Sequence, residues 1–141
     1  MIKILPFLFL IISCSPPKKI MDTTFTIIYN NQIGGSENAG HMVIQDNESY
    51  IQFIESLKLE ETQFANFLKV DFKRKNILVL NLGQKNSGGY EISIESISNN
   101  GDTIIVKKKE SGPKKGAIAT TVITTPYCIA LIPKGKKLIV E

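Results

Sequence analysis

Apolar residues recur at helical spacing in one segment of this chain. In NESYIQFIESLK, four of them fall at positions i, i+3, i+4 and i+7 and therefore share one face of a helix: Tyr50, Phe53, Ile54 and Leu57. Asp46 or Asn47, directly before this pattern, can cap the first turn with a side-chain oxygen. The spacing predicts an amphipathic helix over residues 48–58.

The other apolar runs have the spacing or composition of β-strands. In GYEISIESI, Tyr90, Ile92 and Ile94 alternate with polar residues, which indicates one buried and one solvent-facing side. In KNILVLNLG, apolar residues fall on both sides, as in a central strand. Further strands are predicted in TTFTIIYN, HMVIQ, DTIIVKK, AIATTVITT, YCIALI and KLIVE.

Turn signals connect these strands mostly to their neighbours along the chain. Asn100-Gly101 is a strong hairpin signal, and Pro126, which cannot donate to a strand ladder, marks a bulge, a bend or an edge. About eight short strands and one helix predict a mainly β fold of the α+β type. We expect an antiparallel β-sandwich or a partly closed barrel, with the helix over one face or end. Residues 59–72 are ambiguous between a helical turn and a packed loop.

The first residues have the form of an export signal. Lys3 precedes an apolar run, Ile4 to Ile12, that is too short to span a bilayer. The run ends in IISC, which resembles the lipobox of bacterial lipoproteins, with Cys14 as the acylated residue. We expect a signal peptide at 1–13, a tether at 14–22 and a single domain at 23–141. The alternative is a simple signal peptide cut elsewhere.

A lipid on Cys14 would decide both location and disulfide chemistry. Acyl chains would anchor the chain in the cell envelope, and Ser15 carries no retention-type aspartate, so we expect the outer membrane in a Gram-negative cell. Cys128, the only other cysteine, would then have no partner within the chain. A core must therefore stabilise the fold, which agrees with 43% hydrophobic residues. The net charge of +4 is too mild to indicate nucleic-acid binding.

Few residues have the pattern of a catalytic or metal site. His41 is the only histidine, and a lone histidine is more often a surface or hydrogen-bonded residue than a ligand. Cys128 lies in the apolar run PYCIAL, which favours a small buried hydrophobe over a reactive thiolate. No zinc, nucleotide-binding, calcium or hydrolase motif occurs. We expect no enzyme activity and no cofactor, although a site built from scattered residues stays open.

Three loops rich in Gly or Pro are the remaining candidates for function: KNSGGY, SGPKKG and TTPYC. Each lies between predicted strands, where binding residues are concentrated. Plain connection is the alternative for each loop, and the lysines at 85, 114 and 115 also serve solubility. The candidate partner-binding residues are Lys85, Asn86, Ser87, Gly88, Gly89, Tyr90, Gly112, Pro113, Thr125, Pro126 and Tyr127.

The order of these motifs resembles the C-terminal domain of PrcB-type protease-complex subunits. The matching elements are Val70-Asp71-Phe72, the strand from Ile77 to Leu82, GQKNSGGY at 83–90, Gly101-Asp102, Thr125-Pro126-Tyr127 and Ile132-Pro133. Asn86 stands where proline is frequent in the family, and Cys128 where the family often has a histidine or another residue. The resemblance implies a non-catalytic lipoprotein domain that associates with a secreted or surface protease and stabilises it.

A weaker likeness is to the chagasin-type cysteine-protease inhibitors. These Ig-like sandwiches present three loops at one end, which KNSGGY, SGPKKG and TPY parallel in order, with Thr125 for Arg and Tyr127 for Trp. The sequence therefore leaves three hypotheses: a lipid-anchored domain that binds a protein partner such as a protease, a cysteine-protease inhibitor, or a purely structural envelope protein.

Overall fold

Two β-sheets packed face to face, with a helix outside one of them, form the body of the protein. The computed structural model describes residues 23–64, 67 and 69–141. Its elements are β1 (Thr26–Asn31), β2 (Gly40–Ile44), α1 (Asn47–Ser56), α2 (Glu61–Phe64), β3 (Lys75–Asn81), β4 (Glu91–Asn100), β5 (Thr103–Ser111), β6 (Tyr127–Pro133) and β7 (Lys137–Val140). One sheet has the order β1-β6-β3-β2 and the other β4-β5-β7.

The central strands β3 and β6 are buried on both sides, as the apolar run KNILVLNLG predicts. Leu78 and Leu80 of β3 face the three-stranded sheet, whereas Ile77 and Val79 face α1. In β6 the same alternation places Cys128, Ala130 and Ile132 between the sheets, with Tyr127 and Ile129 on the helix side. Because these strands have no solvent face, they read as continuous apolar runs.

Helix α1 covers the outer face of the four-stranded sheet. The Asp46 side chain caps it by accepting a hydrogen bond from the Ser49 amide at 2.8 Å. Tyr50 and Ile54 are buried against the sheet, and Phe53 and Leu57 pack beside them, as the helical spacing predicts. Of the two predicted positions for the helix, a face or an end of the sheet, the structure shows the face.

The prediction of a mainly β sandwich with one main helix is confirmed: the strands form two separate sheets, which do not close into a barrel. The strands are antiparallel except for one pair, because β7 runs parallel to β5. The Gly101 hairpin forms as predicted, with Asn100 opposite Thr103. In β4 a bulge between Ile94 and Ser96 turns Ile97, three residues after Ile94, to the same buried side.

One predicted strand, AIATTVITT at 117–125, is wrong. In these described residues only Thr124 makes a strand-like pairing, an isolated bridge to Lys85. Both edges of β6 are already occupied, by β1 and by β3, so this β-branched segment has no edge there to pair with. It instead runs across neighbouring loops with its apolar side chains exposed.

The predicted signal peptide, the tether at 14–22 and the lipid site at Cys14 lie outside the described residues. Within residues 23–64, 67 and 69–141, no helix combines the length and apolar character needed to cross a membrane. The ambiguous segment 59–72 contains the short helix α2.

Candidate binding surface at the loop end

The candidate loops meet because the strands that carry them begin or end at one end of the sandwich. Tyr127, the first residue of β6, lies opposite both the last residue of β1 and the last residue of β3. Glu91 at the start of β4 pairs with Ser111 at the end of β5. Residues 32–39, 82–90 and 112–126 therefore leave the two sheets on the same side, and we call this region the loop end.

Backbone hydrogen bonds join the first and third candidate loops. The Lys85 amide donates to the Thr124 carbonyl at 2.8 Å, and the Thr124 amide donates back to Lys85 at 2.9 Å. The buried Thr124 hydroxyl also donates to the Ser87 carbonyl at 2.9 Å. These bonds hold the KNSGGY loop against the segment that leads into β6.

The loop at residues 32–39, which is not one of the three candidate loops, completes this arrangement. The Gln32 side-chain oxygen accepts a hydrogen bond from the Gly89 amide at 3.1 Å. The backbone carbonyl of Gln32 accepts one from the Thr125 amide at 2.9 Å. The Gly35 amide donates to the Thr125 carbonyl at 3.0 Å. The glycine-rich sequence NQIGGSENAG was the available signal, because paired glycines allow two backbones to approach closely.

The first and second candidate loops meet around the ring of Tyr90. A β-carbon at position 112 would lie 2.9 Å from Tyr90 Cε1, so any residue larger than glycine would displace this ring. The Lys85 ammonium lies 5.6 Å from the centre of the same ring, within the range of a cation–π contact. Pro113 packs beside Gly89, where an added β-carbon would lie 3.4 Å from the Pro113 Cβ.

Glycine occupies three positions of GQKNSGGY for different geometric reasons. Gly83 and Gly89 have positive φ angles of 79° and 87°, which disfavour residues with a β-carbon. Gly88 is buried, and a β-carbon there would lie 2.5 Å from the Thr120 hydroxyl oxygen. The loop is thus a turn whose glycines also allow it to pack against two other segments.

Exposed apolar side chains accompany these loops. Ile118 is fully exposed, and Val122 and Ile123 are 49% and 65% exposed. Ile33, next to Gln32, is exposed as well. The Gly88 amide donates to the Thr120 carbonyl at 3.1 Å, which places the segment 117–123 beside the KNSGGY loop. Apolar, aromatic and lysine side chains are therefore presented together at the loop end.

Two of the predicted contact residues are instead in the core. Pro126 is fully buried, and Tyr127 is 3% exposed with its ring 5.9 Å from that of Tyr29. Burial raises the pKa of Tyr127 to about 12. Their side chains pack beneath the loops and are not available for contact. The other predicted contact residues are accessible: Asn86, Gly89 and Gly112 lie at the surface, and Lys85, Ser87, Tyr90, Pro113 and Thr125 are partly exposed.

The groups with potential chemical reactivity are dispersed or buried. His41 is exposed on β2, at the rim of a groove of about 490 Å3 that is also lined by Met42, Phe53 and Leu57. Cys128 is inaccessible to solvent, and burial raises the pKa of its thiol to about 11, as expected of a small buried hydrophobe. Among the described residues, no three His, Cys, Asp or Glu side chains are placed to hold a metal ion.

Comparison with known proteins gave one match to a family model. Residues 77–133, which run from β3 through β6, match the family model described as PrcB C-terminal. The matched segment contains the KNSGGY, SGPKKG and TTPYC loops, and it confirms the family resemblance predicted from the motif order. The searches of curated proteins and of solved structures returned no match to the chain.

Proposed function

We propose that this chain, whose residues 77–133 match the PrcB C-terminal family model, is a membrane-anchored, non-enzymatic domain that binds a protein at its loop end. The proposed partner is a secreted or surface protease that the domain helps to assemble or stabilise. Lipid on Cys14 would hold the domain in the envelope, at the outer membrane in a Gram-negative cell. The observation that carries the proposal is the joining of separate loops into one surface with exposed apolar side chains.

The composition of the loop end favours a protein partner. Interfaces are enriched in aromatic side chains at their centre and tolerate polar groups at their rim. Tyr90 supplies an aromatic ring, and the exposed isoleucines and valine of segment 117–123 extend the apolar area. An apolar area of this kind is costly in water, and contiguous ones often mark interaction sites.

The bonding between loops also favours binding. Ordering flexible loops when a complex forms costs free energy, which a preorganised surface avoids. At the loop end the bonds of Thr124 to Lys85 and Ser87, and that of Gln32 to Gly89, fix the loops before any partner arrives.

The alternative of a chagasin-like inhibitor has less support from the geometry. Such an inhibitor would use three loops to fill a protease cleft, and the third of them here would present Tyr127. The ring of Tyr127 is buried beside the ring of Tyr29 and the backbone of Gly34, so it does not project from the loop end. We therefore favour assembly or stabilisation over active-site inhibition.

The test is affinity capture with a matched pair of variants. All described strands and helices and both apolar clusters lie within residues 23–141, so this segment contains the fold. Tagged 23–141 is cross-linked in native envelope extract as wild type, as Ile118→Ser/Ile123→Ser, and as Ile51→Ser/Ile139→Ser. The second pair also replaces exposed isoleucines, one on α1 and one on β7, away from the loop end.

We expect one protease to be captured by the wild type and by the α1/β7 variant, and lost with the loop-end variant. Adding the wild type to the purified protease should then lengthen its active lifetime without lowering its initial rate. Equal capture by both variants would contradict binding at the loop end. A lowered initial rate would instead support inhibition.

A further inference from the structure

The end of the sandwich opposite the loop end is strongly basic. The strand ends and turns there carry Lys73, Arg74, Lys75, Lys134, Lys136 and Lys137. Lys75 begins β3 opposite Pro133, the last residue of β6, and Lys137 begins β7 opposite Thr103. The Lys134 amide donates to the Arg74 carbonyl at 3.1 Å, and the Lys136 amide to the Asp102 carbonyl at 3.0 Å. These bonds bring the six residues together across both sheets, and we call them the basic end.

The positive charge of the domain is concentrated at this end. Two carboxylates, Asp71 and Asp102, lie in the same turns, and two more, Asp46 and Glu48, follow the end of β2, whose last residue Ile44 lies opposite Ile77. In the other described residues, eight carboxylates balance eight basic side chains. Five of the six are exposed, and Lys136, whose ammonium pairs with Asp102 at 2.6 Å, keeps most of its side chain in solvent. The basic end is therefore a solvated cationic surface on a domain whose other described residues carry no net charge.

The N-terminal part of the chain joins the domain at the same end. Thr26, the first residue of β1, lies opposite Leu131, two residues before the end of β6. The Lys75 ammonium lies 3.5 Å from the hydroxyl oxygen of Thr24, just before β1. Only eight residues separate Cys14 from Thr23, and even a fully extended chain between them would reach about 30 Å. A lipid on Cys14 would thus keep the basic end close to the bilayer.

We propose that the basic end docks on the anionic headgroups of a phospholipid leaflet and so directs the loop end away from the membrane. Clustered lysines and arginines are attracted to anionic lipid surfaces, and the attraction falls off within a Debye length. The β3 strand between the two ends has seven residues, a length of roughly 20 Å, so the loop end would lie beyond the headgroups. The orientation rests on the proposed anchor at Cys14, whereas headgroup binding by the basic end does not.

Sedimentation with vesicles tests headgroup binding without any lipid on the protein. Residues 23–141 are mixed at low salt with phosphatidylcholine vesicles, with or without phosphatidylglycerol. The test variant is Lys73→Gln/Arg74→Gln/Lys137→Gln. The control, Lys109→Gln/Lys114→Gln/Lys115→Gln, removes the same charge from exposed positions toward the loop end. Thermal unfolding of all three proteins checks that they are folded.

We expect binding only to the anionic vesicles, and weaker binding in salt. Each basic residue at such a surface contributes about a fivefold factor, so the test variant should bind on the order of 100-fold more weakly. The affinity of the control variant for the anionic vesicles should stay within about threefold of that of wild type, since the replaced lysines lie away from the bilayer. Equal losses in the two variants, or no preference of the wild type for anionic vesicles, would overturn the proposal.

Orientation is measured on residues 14–141 coupled to maleimide lipid through Cys14. Because Cys128 is buried, the coupling is selective for Cys14. Paramagnetic headgroups in the vesicle should broaden the amide signals of residues 73–75 and 134–137 and spare those of 86–89. Broadening of 86–89 instead would overturn the orientation. Neither measurement involves a protein partner, so a failure here is distinguishable from a failure of loop-end binding.

Discussion

The ring of Tyr90 packs against Gly112 so closely that a β-carbon at position 112 would lie 2.9 Å from Cε1. Tyr90 ends the KNSGGY loop and Gly112 belongs to SGPKKG, so this contact fixes one candidate loop against another. The position of the most prominent aromatic side chain at the loop end thus depends on a glycine twenty-two residues away.

Replacing Gly112 with alanine should move the Tyr90 ring and weaken partner binding. Forcing an extra carbon into a filled space typically costs about 1–3 kcal/mol, and the partly exposed ring should keep the loss of stability near 1 kcal/mol. In the Tyr90→Ala variant the space next to position 112 is no longer filled by a ring. Adding Gly112→Ala to that variant should therefore cost almost no further stability. Urea unfolding of the two single variants and the double variant measures this. Purely additive losses would show that the two residues do not interact.

Gly35→Ala should destabilise the fold more strongly. A β-carbon at position 35 would lie 2.6 Å from the Thr125 carbonyl oxygen and 2.9 Å from the Tyr127 Cβ. Backbone and core atoms cannot rotate away, so we expect a loss of about 2–3 kcal/mol in the free energy of unfolding. The control, Glu37→Ala, changes an exposed side chain of the same loop and should cost less than about 0.5 kcal/mol. A loss for Gly35→Ala no larger than that of the control would contradict the close contact.

The stability of the domain should fall in alkaline solution partly because of Cys128. Its thiol has a pKa of about 11 in the fold against 9.0 ordinarily. Because the folded-state pKa is the higher one, the contribution of the neutral thiol to the free energy of unfolding is complete below pH 9. It is lost between about pH 9 and 11. We expect wild type to lose about 2 kcal/mol more than Cys128→Ala between pH 8 and 10.5. Urea unfolding at both pH values measures the difference, and parallel losses in the two proteins would contradict it.

Tyr50→Phe should leave the free energy of unfolding unchanged or raise it. The Tyr50 hydroxyl is buried and has no hydrogen-bond partner among residues 23–64, 67 and 69–141. Removing an unpaired buried hydroxyl relieves a desolvation cost of about 1 kcal/mol.

Tyr127→Phe is the matched comparison for Tyr50→Phe. The hydroxyl of Tyr127 hydrogen-bonds Tyr29, so its removal should lower stability by about 1 kcal/mol. Thermal and urea unfolding should therefore show Tyr50→Phe to be at least as stable as wild type and Tyr127→Phe to be less stable than wild type. A larger loss for Tyr50→Phe than for Tyr127→Phe would contradict the assigned environments.

The patterns that local periodicity controls were predictable from the sequence. The spacing of Tyr50, Ile54 and their neighbours gave the helix and its buried face, and the double-sided apolar run at Ile77 gave the central strand. That the three loops lie at one end was also predictable from their order along the chain. In a sandwich of antiparallel strands, alternate connections lie at the same end.

Features that depend on distant contacts were not predictable. AIATTVITT has the composition of a strand, but no edge of β6 is left for it to pair with. The parallel pairing of β7 and the burial of Tyr127 depend on which strands become neighbours, which periodicity does not specify. The role of Gln32 at the loop end arises from a hydrogen bond between residues 57 positions apart.

Amide hydrogen exchange of residues 23–141, free and bound to the captured protease, tests binding at the loop end most directly. The free protein provides the baseline, since the bonds at Lys85, Gly88 and Gly89 already slow exchange there. We predict that binding adds protection to residues 33–36, 85–90 and 118–123 and leaves α1 and β7 unchanged. Added protection confined to α1 or to the groove beside His41, with the loops unaffected, would contradict the account.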